Sequence, residues 1–134
     1  MPRRGGRLAI ETVLLVDDEP DIRRIAQISL EAVGLWKALV AESGALALSL
    51  AAAGRPDVIL LDVMMPGMDG PTTLVRLRGD AATAAIPVIF MTANAQRHEI
   101  DRYLRMGAAG VITKPFDPMT LPEQIEEILS RVAA

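Results

Sequence analysis

No cysteine occurs among the 134 residues of this chain. That excludes a disulfide framework and a thiolate metal site, and it agrees with a reducing compartment. Aromatics are scarce, with one Trp, one Tyr and two Phe. No apolar run reaches membrane-spanning length without a charge. Positive charge is in deficit: the formal net charge is -3 and the pI is about 5.1. A phosphate backbone is gripped by a clustered positive patch, so no direct nucleic-acid partner is expected. Arg3, Arg4 and Arg7 crowd the start of the chain. They do not make a signal peptide, because Glu11 stops the short stretch Leu8-Ala9-Ile10 and no cleavage pattern follows. The expectation is a soluble, cytoplasmic domain with no membrane partner. Its length is enough to close one hydrophobic core without staples. Residues 1–11 read as a flexible N-terminal leader and residues 12–134 as one domain.

What the chain does contain is a series of short apolar runs, each ending in polar residues. Val58-Ile59-Leu60-Leu61 runs straight into Asp62, and breakers follow at Pro66-Gly67-Met68-Asp69-Gly70. Such a run reads as a strand buried on both faces. Thr12-Val13-Leu14-Leu15-Val16 ends in Asp17-Asp18-Glu19, and Val88-Ile89-Phe90-Met91 ends in Thr92-Ala93-Asn94. Gly110-Val111-Ile112-Thr113 ends at Lys114-Pro115-Phe116. Trp36 to Ala41 is a weaker run containing Lys37, which suits a sheet edge.

Helical patterns separate the runs. Pro20 suits the first helical position, Gly34 a C-cap, and Ile22, Ile25, Ala26, Ser29 and Val33 share a face. Ser43 caps a helix that Gly54 stops. Further helices are expected from about Pro71 to Arg78 and from about Ala95 to Met106. A last helix, capped by Asp117 or Thr120, shows Leu121, Ile125, Ile128, Leu129 and Val132 on one face. Five strands alternating with five helices mean a parallel sheet covered on both faces, an α/β fold.

In such a sheet, functional groups sit beyond the carboxyl ends of the strands. Those ends supply Asp17, Asp18, Asp62, Thr92 and Lys114. Three carboxylates brought together repel one another unless a hard divalent cation sits among them, and Mg²⁺ suits carboxylates, water and phosphate. A carboxylate can act as a nucleophile and form an acyl phosphate. Lys114 can pair with one phosphoryl oxygen and the Thr92 hydroxyl with another. Taken singly, each residue has a plainer reading: Asp17 and Asp18 as capping acids, Thr92 as a strand-end hydroxyl, Lys114 as a solvated surface lysine. Asp69 reads as a turn-shaping residue, His98 as an exposed helix residue, and Met64, Met65 and Met68 as local packing. The joint occurrence favours phosphoryl transfer.

These segments carry a resemblance. Val13-Leu14-Leu15-Val16-Asp17-Asp18-Glu19-Pro20, Pro56-Asp57 through Asp62 to Gly70, Ile86 through Thr92-Ala93, and Gly107 through Lys114-Pro115-Phe116 resemble the receiver domain of two-component response regulators. The resemblance is in the style of the stand-alone chemotaxis regulator. The resemblance implies a flavodoxin-like five-stranded sheet in the order 2-1-3-4-5. It implies Asp62 as phosphoacceptor, Thr92 as switch hydroxyl, Lys114 as the phosphate-pairing lysine and a cis bond between Lys114 and Pro115. It also implies Mg²⁺ held by Asp17, Asp18, Asp62 and the backbone carbonyl of Met64. Implied partners are a histidine kinase or histidine phosphotransferase, a downstream target protein, and a second copy of the chain on phosphorylation. Val111 stands where the family often carries Phe or Tyr. No attached output module is expected. A phosphatase of the haloacid-dehalogenase type would place a second Asp two residues after the nucleophile, where this chain has Met64. A receiver that binds partners without phosphorylation would have no need of all five site residues.

Overall fold

The computed structural model describes the backbone at residues 3–4 and 7–133 and the side chains from Ala9 to Val132. Five parallel strands form the sheet: β1 (Thr12–Val16), β2 (Lys37–Ala41), β3 (Val58–Asp62), β4 (Val88–Thr92) and β5 (Gly110–Thr113). Their order is β2-β1-β3-β4-β5, the flavodoxin-like order 2-1-3-4-5. The helices are α1 (Pro20–Ile28), α2 (Gly44–Gly54), α3 (Gly70–Arg78), α4 (Arg97–Arg105) and α5 (Leu121–Ala133).

The strands read as solid apolar runs because both faces of the sheet are covered. Side chains alternate between the faces. Leu14, Val16, Ile59, Leu61, Val88 and Phe90 meet one apolar cluster with Ala47 and Ala51 of α2, Leu74 and Leu77 of α3 and Tyr103 of α4. Val13, Leu15, Leu60, Ile89, Met91 and Ile112 meet the other, with Ala26 of α1 and Leu121, Ile125 and Leu129 of α5. Each fully buried aliphatic contributes about 1.5–3 kcal/mol relative to exposure. As expected, β2 is an edge, and Lys37 on it is exposed.

Two local features differ from the sequence reading. The first helix is α-helical only to Ile28, and Ser29–Val33 forms a π-helical turn in which the Gly34 N–H donates to the Ser29 carbonyl at 3.0 Å. Each residue of a π turn rotates through a smaller angle than in an α-helix. The turn carries Val33 off the inner face that Ala26, Ser29 and Leu30 share, and Ile25, which precedes the turn, is exposed as well. On α5, Leu121, Ile125 and Leu129 are buried but Val132 lies on the surface. The leader expected over residues 1–11 lies partly outside the described residues. Within it, Arg3–Arg4 pairs antiparallel with Arg7–Leu8, and Ile10 is buried.

Candidate functional site

Register brings the strand ends together. Val16 pairs with Leu61, Asp62 with Met91, and Thr92 with Thr113, so the residues that end each strand lie side by side. Backbone bonds carry the ladder past the strands. The Asp17 N–H donates to Ala41 at 3.1 Å, Val63 to Met91 at 3.0 Å and Lys114 to Thr92 at 2.9 Å. A parallel sheet with these crossovers makes one polar rim from residues far apart in sequence.

Asp17 and Asp62 are 0% and 3% exposed. The Lys114 ammonium bridges them, 2.7 Å from Asp17 Oδ2 and 3.1 Å from Asp62 Oδ1. Asp18 is half-buried beside them. Asp17, Asp18 and Asp62 each offer a carboxylate oxygen within 4.8 Å of the other two. Burial, and next the charge of Asp17, push the Asp62 carboxyl up to about 6, against the lowering effect of Lys114 and the Met64 N–H. For Lys114, burial alone would lower the ammonium, but its bonds to Asp17 and Asp62 outweigh that and raise it. One cation thus serves two buried carboxylates with a third beside them, leaving an excess of negative charge.

The donor set fits a hard divalent cation. Asp17 Oδ2 is buried and accepts no well-angled hydrogen bond, although the Lys114 ammonium is close to it. A carboxylate oxygen with spare acceptor capacity, facing two other carboxylates, is the all-oxygen arrangement that Mg²⁺ takes.

Local chemistry fixes the rest of the rim. The Glu19 N–H donates to Asp17 Oδ1 at 2.9 Å, and the Met64 N–H reaches Asp62 Oδ1 at 3.4 Å. The Met64 side chain points to solvent, 78% exposed. The Thr92 hydroxyl is buried and turned into its own loop, accepting from the Asn94 N–H at 3.0 Å. The Lys114–Pro115 peptide is cis. Gly70 lies against the acceptor strand: an added Cβ would fall 2.5 Å from the Asp62 carbonyl oxygen and 2.8 Å from Val63 Cα.

The structure brings together Asp17, Asp18, Asp62 and Lys114, and it places Thr92 on the same rim, bonded to Lys114 through its backbone. Asp69 caps α3, accepting from the Thr72 N–H at 2.9 Å, and that bonding lowers its carboxyl. His98 is exposed and faces Glu99. Sequence reasoning missed two contributors. Arg23 of α1 donates to the Asp17 carbonyl at 2.9 Å, holding the acidic loop from the helix side. Asp57 accepts from the N–H groups of Glu11 and Thr12 at 2.8 and 2.9 Å and so anchors the start of β1. Asp57 stood next to the acceptor strand in the sequence, but nothing marked it as a partner for residues 45 and 46 positions away.

Comparison with known proteins decides the family. The response regulator receiver domain family matches residues 13–126. The chain belongs to that family. It is a receiver domain of two-component signalling, similar to regulators of both the chemotaxis and the transcriptional kind. It is 38% identical over 121 residues to the phosphate regulon transcriptional regulatory protein PhoB of Pseudomonas aeruginosa, a match covering 90% of this chain and 52% of that protein. It is 36% identical to the chemotaxis protein CheY of the same organism, covering 90% and 97%. The structure of chemotaxis protein CheY4 of Vibrio cholerae aligns with a TM-score of 0.82 at 31% identity, covering 90% of this chain and 99% of that one. The receiver thus spans about half the length of PhoB and nearly the whole of the CheY proteins.

Proposed function

We propose that this receiver, residues 12–134, accepts a phosphoryl group on Asp62 from a phosphohistidine of a histidine kinase or histidine phosphotransferase. The observation that carries the reading is the Lys114 ammonium set between Asp62 and Asp17, with Asp18 completing an acidic pocket. In the proposed step an Asp62 carboxylate oxygen attacks phosphorus. The phosphorus–nitrogen bond breaks, its electron pair stays on the donor imidazole, and an acyl phosphate forms. Asp62 must be ionised to attack, and with its carboxyl near 6 it is so at neutral pH. Lys114 leaves the carboxylate pair to meet a phosphoryl oxygen as a mobile point charge. The Thr92 hydroxyl turns from Asn94 to a second oxygen. Asp17, Asp18, Asp62 and the Met64 carbonyl would hold Mg²⁺, which would supply charge neutralisation for the transferring group.

The domain is a signalling acceptor whose own chemistry ends with phosphotransfer and slow hydrolysis of the acyl phosphate, rather than an enzyme acting on other substrates. It acts in the cytoplasm, and no helix among the described residues is long and apolar enough to cross a membrane. Its output is a changed surface offered to a downstream target protein or to a second copy of the chain, not direct contact with nucleic acid. The test is chemical mapping. After reaction with phosphoramidate and Mg²⁺, borohydride converts an aspartyl phosphate to homoserine. Homoserine at position 62 supports the assignment, whereas homoserine at 17 or 18 with none at 62 contradicts it.

A further inference from the structure

Helix α4 rests on the sheet through one side chain: Tyr103 is its only buried residue. Gln96 at its N-cap makes no side-chain cap bond. The Tyr103 ring, 4% exposed, lies on Phe90 with centroids 4.9 Å apart and planes tilted by 60°. Phe90 belongs to β4, two residues before Thr92, and pairs in register with Val111. At the other end of the ring, the hydroxyl donates to Glu99 Oε2 at 3.0 Å. Glu99 is also within 3.7 Å of Arg102 and 3.5 Å of His98, and the Arg102 guanidinium lies 5.8 Å from the ring centroid. One side chain therefore joins the strand that ends at the switch hydroxyl to the charged outer face of the helix.

We propose that Tyr103 is the positioning residue through which the state of the β4 end reaches the outer face of α4. The proposal rests on the reading that Asp62 takes a phosphoryl group. When Thr92 leaves Asn94, the end of β4 and its loop shift, and Phe90 shifts with them. A close-packed interior passes such a displacement to whatever it touches. Here it touches a tyrosine whose hydroxyl holds Glu99, so the Glu99–Arg102–His98 group is repositioned as the helix moves. The short Val111 beside Phe90 has no aromatic ring to carry the shift by another route.

The test is NMR on the full chain with Mg²⁺ and beryllofluoride, a phosphoryl mimic. Tyr103 is the sole tyrosine, so its ring signals need no further assignment. The site response is read at the Val63 and Met64 amides, and the output response at the His98, Glu99 and Arg102 amides. In the wild type, all of these and the Tyr103 ring signals shift. Tyr103→Phe keeps the ring contact and loses the hydroxyl bond. Its site response is retained, while its α4 shifts fall by about half or more, as removal of one coupling hydrogen bond implies. Tyr103→Leu keeps the site response and loses the α4 response. Equal α4 shifts in all three proteins, with equal site responses, overturn the proposal. No site response in the wild type overturns instead the reading of Asp62 on which the proposal rests.

Discussion

Asp62 is held in a place that disfavours its own charge. In the unfolded chain its carboxyl titrates near 3.8, and in the folded protein burial and Asp17 raise it to about 6. Between those values the folded state binds the extra proton, so the contribution of Asp62 to stability is present at low pH and is lost as pH rises through 6. Asp62→Asn removes that effect. The metal-free variant is expected to be more stable than the wild type at pH 7.5, by on the order of 1–3 kcal/mol, and to match it near pH 4. Thermal unfolding at both pH values checks this, and parallel stability curves would contradict it. Lys114 has the opposite sign. Lys114→Met leaves Asp17 and Asp62 facing each other without a cation, at a cost of roughly 2–4 kcal/mol at neutral pH. Asp62→Asn should stabilise that variant by more than it stabilises the wild type, and equal effects in the two backgrounds would refute the coupling. At this scale the sequence was informative. Asp17, Asp18, Asp62, Thr92 and Lys114 were each visible at the end of an apolar run, and the fold placed those ends on one rim. Arg23 was not visible, because a guanidinium that binds a backbone carbonyl leaves no pattern in the sequence.

The five strands were legible for a simple reason. A strand buried on both faces must be apolar throughout, and turn residues bound it. The π turn at the end of α1 was not legible, because a change from i→i−4 to i→i−5 bonding has no compositional mark. The same loss of phase misplaced Val33. On α4 the burial of Tyr103 alone was not legible either, because only packing decides it. The contact between α3 and β3 gives a prediction at this scale. Gly70 begins α3 against the Asp62 carbonyl. Gly70→Ala must push the helix start away from the acceptor strand, because backbone rather than a flexible side chain meets the new Cβ. A destabilisation of about 1–3 kcal/mol is expected, together with slower phosphorylation of Asp62. A variant with wild-type stability and rate would show that the α3 start yields without disturbing the site.

For the molecule as a whole, the sheet is a scaffold that holds like charges together at one end. Cation binding to the native state should therefore stabilise the entire fold. At Mg²⁺ concentrations near 100 times the dissociation constant, linkage gives about 2.7 kcal/mol. The melting temperature of the wild type should rise with Mg²⁺, and that of an Asp17→Asn, Asp18→Asn double variant should stay nearly flat. An equal rise in both would place the ion elsewhere. The central claim is that Asp62 accepts a phosphoryl group in this pocket. Intact-protein mass after incubation with a small phosphodonor, with and without Mg²⁺, on the wild type and on Asp62→Asn, tests it most directly. A single Mg²⁺-dependent phosphoryl adduct on the wild type and none on the variant is the predicted result; an adduct of equal yield on Asp62→Asn would contradict the account.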